Sequence, residues 1–190
     1  MSIHSLSHED RIYLLQLARN SIKQAIQHQA LPKIDIANLS SELKSNGAAF
    51  VTLTIDGQLR GCIGALEAYQ PLAKDVQEHA VSAALEDYRF PPLTWGDLDS
   101  VRIEISRLTQ PIQLIYSDTE ALIQKLRPSI DGVILADGFR RATFLPQVWE
   151  QLPIPEEFLN HLCVKMGSNP DTWQKKHLEV STYQVEEFHE

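Results

Sequence analysis

The chain has 190 residues, 43% of them hydrophobic and 22% charged, and a formal net charge of −8. That is enough for one domain, or one domain in two lobes, with a sizeable core. The acidic balance weighs against broad nucleic-acid binding, which needs clustered Lys and Arg to displace counterions from phosphates, and no run of about twenty apolar residues exists to span a membrane.

Residues 1–10 are polar and lack an apolar signal region, so the expected location is cytoplasmic, with a polar extension over about residues 1–6. Ser7 can cap a helix whose first turn holds Glu9 and Asp10. Leu15, Ala18, Ile22, Ala25 and Ile26 recur at helical spacing and carry it to about Gln29. Residues 31–46 are mixed, with a short turn around Leu39 and Leu43. The run Phe50-Val51-Thr52-Leu53-Thr54-Ile55, the pair Asp56-Gly57 and a second run to Ile63 predict a β-hairpin over 49–63, because Asp-Gly tolerates the positive φ of a type I′ turn. Alternation on its second strand places Arg60, Cys62 and Gly64 on one face and Leu59, Gly61 and Ile63 on the other.

Pro71 is placed as the first residue of a second helix, with Leu72, Val76, Ala80, Ala83 and Ala84 as its inner stripe. The helix ends at Asp87-Tyr88-Arg89-Phe90-Pro91-Pro92, since residues before proline avoid helical angles. Residues 101–106 alternate as a half-buried strand. Ser117 or Asp118 caps a short helix carrying Leu122, Ile123 and Leu126. Gly132-Val133-Ile134-Leu135, Asp137-Gly138 and Ala142-Thr143-Phe144-Leu145 predict a second hairpin. Pro155 starts a helix with Phe158, Leu159, Leu162, Cys163 and Met166 inward, closed by Gly167. A short helix follows around Trp173, and residues 178–188 read as a last strand. Hairpins with inserted helices, and no βαβα rhythm, predict an α+β fold with a mainly antiparallel sheet and flanking helices. Arg60 and Arg141 each stand four residues after an Asp, with Cys62 and Thr143 at matching offsets; two ordinary hairpins explain this more simply than a duplication.

Chemistry centres on Cys62. A thiolate is the reactive form and a nearby cation favours it, and Arg60 or Arg89 is expected near it; the alternative is a small buried residue. Gly61 and Gly64 permit close approach of a ligand, a partner backbone or the alanine-rich helix. Glu86, Asp87 and Arg89 cluster at a helix end, as a salt bridge, a pocket frame or a general base, and Phe90-Pro91-Pro92 reads as a rigid corner. His79, grouped with Ser82 and Glu86, is either a partner for Cys62 or a solvated side chain. Cys163 reads as core, Lys165 as a cation at a helix C-terminus, and Trp95, Trp149 and Trp173 as core or lobe contacts. The pairs Arg140-Arg141 and Lys175-Lys176 read as solvated. Two cysteines suggest neither a disulfide scaffold nor a zinc site. His4, His8, His28, His79, His161, His177 and His189 show no tight metal spacing, so neither metal nor cofactor is expected.

Leu59-Arg60-Gly61-Cys62-Ile63-Gly64 resembles the signature of the AMMECR1 family. The likeness extends to 47–53, 87–93, 142–149 and 158–165, in the family's order, with Tyr88 standing where the family usually has proline. The resemblance implies a single AMMECR1-like domain over 1–190, and the residues read above place the expected functional surface at Arg60, Gly61, Cys62, Gly64, Glu86, Asp87, Arg89 and Phe90. It also implies an accessory or binding role beside a Memo-like protein and a radical S-adenosylmethionine protein. A cysteine-dependent enzyme using Cys62 is the alternative, and a role in nucleic-acid machinery a third reading. A homodimer through an exposed edge strand is a further expectation.

Overall fold

The computed structural model describes residues 5–190; His4 and the first part of the polar extension lie outside the described residues. The chain divides into two compact units. One runs up to Thr109 and is completed by Glu186–Glu190; the other is Gln110–Val185.

In the first unit, α1 (His8–Ile26) opens on Ser7, whose hydroxyl accepts from the Asp10 amide at 3.0 Å. Its buried stripe is Leu14, Leu17, Ala18, Ser21 and Ile22, rotated from the expected one, so that Leu15 is only partly buried. Ser21 is tolerated there because its hydroxyl donates to the Leu17 carbonyl at 2.7 Å. The helix stops three residues before the expected Gln29, and His28 turns the chain with a φ of 55°. A short α2 (Ser41–Lys44) follows, then β1 (Asn46–Ile55), β2 (Gln58–Gly64) and β3 (Gln70–Pro71). Pro71 belongs to β3 and caps α3 (Leu72–Leu85) from outside, rather than being its first residue. β4 (Val101–Leu108) and β9 (Val185–His189) complete a sheet in the order β2-β1-β4-β9, with β3 on β1. The pairs β1–β2, β1–β3 and β1–β4 are antiparallel.

One face of this sheet is the core. Val51, Leu53, Val101, Ile103 and Ile105 are fully buried beneath α3, which lies on β1 and β2, and α1, which lies on α3 and β4. The α3 stripe of Leu72, Val76, Ala80, Ala83 and Ala84 is buried as its spacing predicts. His79 is buried too, at 6% exposure, instead of solvated. Its Nδ1 lies 3.2 Å from the Asp75 carboxylate, which accepts the Ala49 amide at 2.9 Å. A polar pair inside an apolar interface persists only when bonded, and here it ties α3 to β1.

The second unit holds β5 (Ile112–Gln113), α4 (Thr119–Lys125), β6 (Gly132–Asp137), β7 (Arg140–Phe144), α5 (Pro155–Lys165), α6 (Thr172–Lys175) and β8 (Glu179–Tyr183). Its antiparallel sheet has the order β5-β8-β6-β7. Asp118, not Ser117, caps α4, accepting the Ala121 amide at 2.8 Å. Trp149 stacks on Phe158 at 3.7 Å between ring centres, and both rings are buried with Trp173 and Cys163. Gly167 closes α5 with a φ of 76°. The expected last strand is two: the chain leaves β8 at Tyr183 and enters the other unit's sheet at Val185.

The two Asp-Gly hairpins also differ. Asp56 and Gly57 both have positive φ, 50° and 74°, as a type I′ turn requires. In the second, Asp137 is still in strand, paired with Arg140, and only Gly138 is positive. The offset of one residue removes the repeat suggested by Arg60 and Arg141.

Gly61 sets how closely α3 approaches the sheet. A Cβ on it would meet the Ala83 carbonyl oxygen at 2.1 Å, and main chain cannot yield as a flexible side chain can. Gly61→Ala is therefore expected to lower stability by about 3 kcal/mol or more in urea unfolding. Gly96→Ala, whose nearest neighbour would be 3.8 Å away, should change it by about 0.5 kcal/mol or less.

Candidate functional site

The signature strand β2 is the edge of its sheet. An open edge presents unpaired amides and carbonyls, and at Cys62 side chains occupy them. The Cys62 amide donates to Asp87 Oδ2 at 2.9 Å, and Arg89 Nη2 donates to the Cys62 carbonyl at 3.1 Å. The two side chains are themselves paired: Arg89 Nε and Nη2 reach Asp87 Oδ1 and Oδ2 at 2.9 and 2.6 Å. Asp87 and Arg89 thus supply the acceptor and donor that a further strand would bring. The Asp87 side chain is 2% exposed and that of Arg89 45%. Hydrogen bonds from Arg89 hold the Asp87 carboxyl far below its ordinary range, against the opposing effect of burial. The same pairing raises the Arg89 guanidinium.

The corner after α3 is tied down a second time. Arg60 donates through Nη1 to the Pro91 carbonyl and through Nη2 to that of Pro92 at 3.3 Å. The Phe90 amide closes a turn on the Asp87 carbonyl at 3.0 Å, and the Leu93 amide returns to Ala84 at 2.8 Å. Phe90 is half-buried, and the Arg89 guanidinium stands 5.4 Å from its ring centre. Glu86 is exposed and accepts from Ser82 at 2.7 Å, turned to its own helix. Tyr88, 95% exposed, occupies the second position of the Asp87–Phe90 turn, where proline is favoured; this accounts for both residues serving there.

Register decides which way the thiol faces. A regular hairpin closed on Asp56-Gly57 would set Cys62 opposite Val51, on the buried face. Instead the pairing shifts between Leu53 and Thr54: Leu53 faces Gly61 and Thr54 faces Leu59, leaving Arg60 as the extra, bulged residue. A slip of one residue exchanges the faces. Cys62 therefore lies opposite Thr52, on the face away from α3, and Leu59 joins that face at 44% exposure instead of sharing Gly61's side. Thr52 also faces Glu104 across β4, so a row Cys62–Thr52–Glu104 crosses three strands. The Thr52 hydroxyl donates to Cys62 Sγ at 3.2 Å, and Cys62 is half-buried.

Gly64 is constrained by its own hairpin, since a Cβ there would meet Phe50 at 2.4 Å and the Ala49 carbonyl at 2.5 Å. Arg60, Cys62, Asp87, Arg89 and Phe90 thus come together at one sheet edge, with Gly61 beneath them. His79 is bonded to Asp75. Thr52 and Glu104 carried no signal in the sequence except the register, which the bulge at Arg60 changes. Lys165 bonds the Thr143 carbonyl at 3.0 Å, and Cys163 is fully buried, its thiol pushed up by burial. Trp149 and Trp173 are core, but Trp95 is 53% exposed. Among the described residues, no group of three or more His, Cys, Asp or Glu is placed to hold a metal ion, and no helix is long and apolar enough to cross a membrane.

Three consequences are measurable. Asp87→Asn should cost about 2 kcal/mol at pH 7, less than a fully buried pair would because Arg89 is partly solvated. Asp87 is depressed on folding, so its contribution is complete above its ordinary pKa and is lost as pH falls towards the depressed value; in urea unfolding the gap between wild type and variant should begin to narrow below about pH 4 and close only at much lower pH. Tyr88→Pro should be tolerated, with a gain of about 0.5 kcal/mol from the restricted unfolded chain. In the native protein iodoacetamide should label Cys62 well before Cys163, read by peptide mass spectrometry; equal rates would contradict the burial difference.

The AMMECR1 family model matches residues 15–188 of this chain. The chain is 34% identical to protein MJ0810 of Methanocaldococcus jannaschii over 97% of its own length and 92% of that protein. It is 35% identical to protein Mbar_A1807 of Methanosarcina barkeri, over 93% and 88%. Its fold is similar to the crystal structure of uncharacterized protein PH0010 from Pyrococcus horikoshii, with a TM-score of 0.82 and 30% identity, covering 97% of this chain and 93% of the other.

Proposed function

The chain belongs to the AMMECR1 family, and from that premise we propose that it is an accessory binding protein, presenting the β2 edge and the corner that follows α3 to a Memo-like and a radical S-adenosylmethionine protein. The observation that supports this most is where the arginines go. Arg60 and Arg89 direct their guanidinium groups to the carbonyls of Pro91, Pro92 and Cys62 and to Asp87. A charged pocket activating a thiol would leave such donors for a substrate. Here they hold a corner and an edge strand in one rigid arrangement, which limits the ordering cost when a partner docks. Exposed Leu59 and Tyr88 flank the corner with apolar area, of the kind that forms interface centres.

The cysteine-dependent enzyme remains the second reading, favoured by one contact, the Thr52 hydroxyl on Cys62 Sγ. A thiol nucleophile needs a base within reach, and His79, the base considered from the sequence, is committed to Asp75.

Copurification of the three proteins, with affinity read by calorimetry, separates these readings. Leu59→Asp with Tyr88→Asp should weaken binding about tenfold or more without loss of fold, whereas Cys62→Ser should leave affinity unchanged. Wild-type protein that binds neither partner would end the accessory reading. Retained binding with loss of the assembled set's activity in Cys62→Ser would favour the enzyme.

A further inference from the structure

A depression of about 600 Å³, lined by no residue of the signature strand, lies in the first unit between α1 and the turn that precedes β4. Its volume is within the range of small-molecule sites. Trp95 stands at its rim, 53% exposed, although burial of so large a ring would be strongly favourable. The turn that carries the indole is held in place. The Thr94 amide and hydroxyl each donate to Asp97 Oδ2 at 2.8 Å, and the Asp97 amide returns to the Thr94 carbonyl at 3.1 Å. Arg19 joins that turn to α1, donating to the carbonyls of Leu98 and Val101 at 2.7 Å each and pairing with Glu190.

Two other cations face the same space. Lys23 Nζ stands over the Trp95 ring, 5.6 Å from its centre, on a long flexible stem that can turn aside for a stacked ring, and exposed Arg102 lines the wall from β4. An exposed aromatic face on a tied turn, with two cations beside it, suits a ligand that combines a planar ring with an anion. Asn20 and Asp99 add polar groups that can bond a base edge or a sugar hydroxyl. With Arg19 paired to Glu190, Lys23 and Arg102 are the cations of the lining left to meet an anion, and Asp99 is the carboxylate beside them.

We propose that this depression binds a mononucleotide-like ligand, its base stacked on Trp95 and its phosphate held by Lys23 and Arg102. The site is independent of Cys62 and of any protein partner.

The test uses the four ribonucleoside 5′-monophosphates as probes on the full chain. Trp149 and Trp173 are 1% and 2% exposed, so Trp95 should dominate ligand-dependent changes in emission. At least one probe should quench that emission saturably with a dissociation constant below about 1 mM, confirmed by calorimetry. Lys23→Ala with Arg102→Ala should weaken it about tenfold or more, and Trp95→Ala should abolish it in calorimetry. All three residues are exposed, and circular dichroism checks that each variant is folded. Cys62→Ser should bind as wild type does. Absence of saturable binding by every probe, unaltered affinity in the variants, or inorganic phosphate binding as tightly as the nucleotide would each overturn the proposal.

Discussion

The carboxylate of Asp87 is the contact on which the rest of the site depends. It receives the Cys62 amide, the Arg89 amide and two bonds from the Arg89 guanidinium. Through these it fixes the end of α3 to the outermost strand of the sheet and orients the arginine that caps the Cys62 carbonyl. Buried charge is costly unless paired and fully bonded; here both carboxylate oxygens are used. The reciprocal contact of Arg60 with the Pro91 and Pro92 carbonyls means that strand and corner each hold the other. The residues that make the signature recognisable are thus largely those that build this joint.

Much of the fold was legible because each element carries its own local reason. Ser7 before α1, Asp56-Gly57 between apolar runs, the alanines of α3, Pro155 and Gly167 around α5 act over a few residues, and the structure places each where its chemistry suggests. What escaped depends on distant partners. The two-residue strands β3 and β5 have no period to detect, and Pro71 serves β3 because the backbone of β1 is beside it. The break between β8 and β9 falls within a run that reads as continuous.

The site itself was legible in membership but not in geometry. Arg60, Cys62, Asp87 and Arg89 do meet. Their arrangement, however, turns on one inserted residue, for the bulge at Arg60 moves Cys62 from opposite Val51 to opposite Thr52. Hydrophobic alternation cannot reveal such a shift, because the strand's glycines carry no pattern. His79 and Trp95 mislead in opposite senses. A histidine beside polar neighbours lies inside because Asp75, one turn earlier, bonds it, and a tryptophan stays outside because the capped turn of Thr94 and Asp97 holds it there.

The path of the chain after Tyr183 has a further consequence. β9 joins β4 in the first unit's sheet only after the whole of 110–185 has intervened. During synthesis β4 must therefore wait, one flank bare, while an entire second body is made. Late closure of such a long loop is slow in entropic terms, and an uncovered flank of this kind invites association between nascent chains. The cost of this chain path thus falls on biogenesis, before β9 has covered β4.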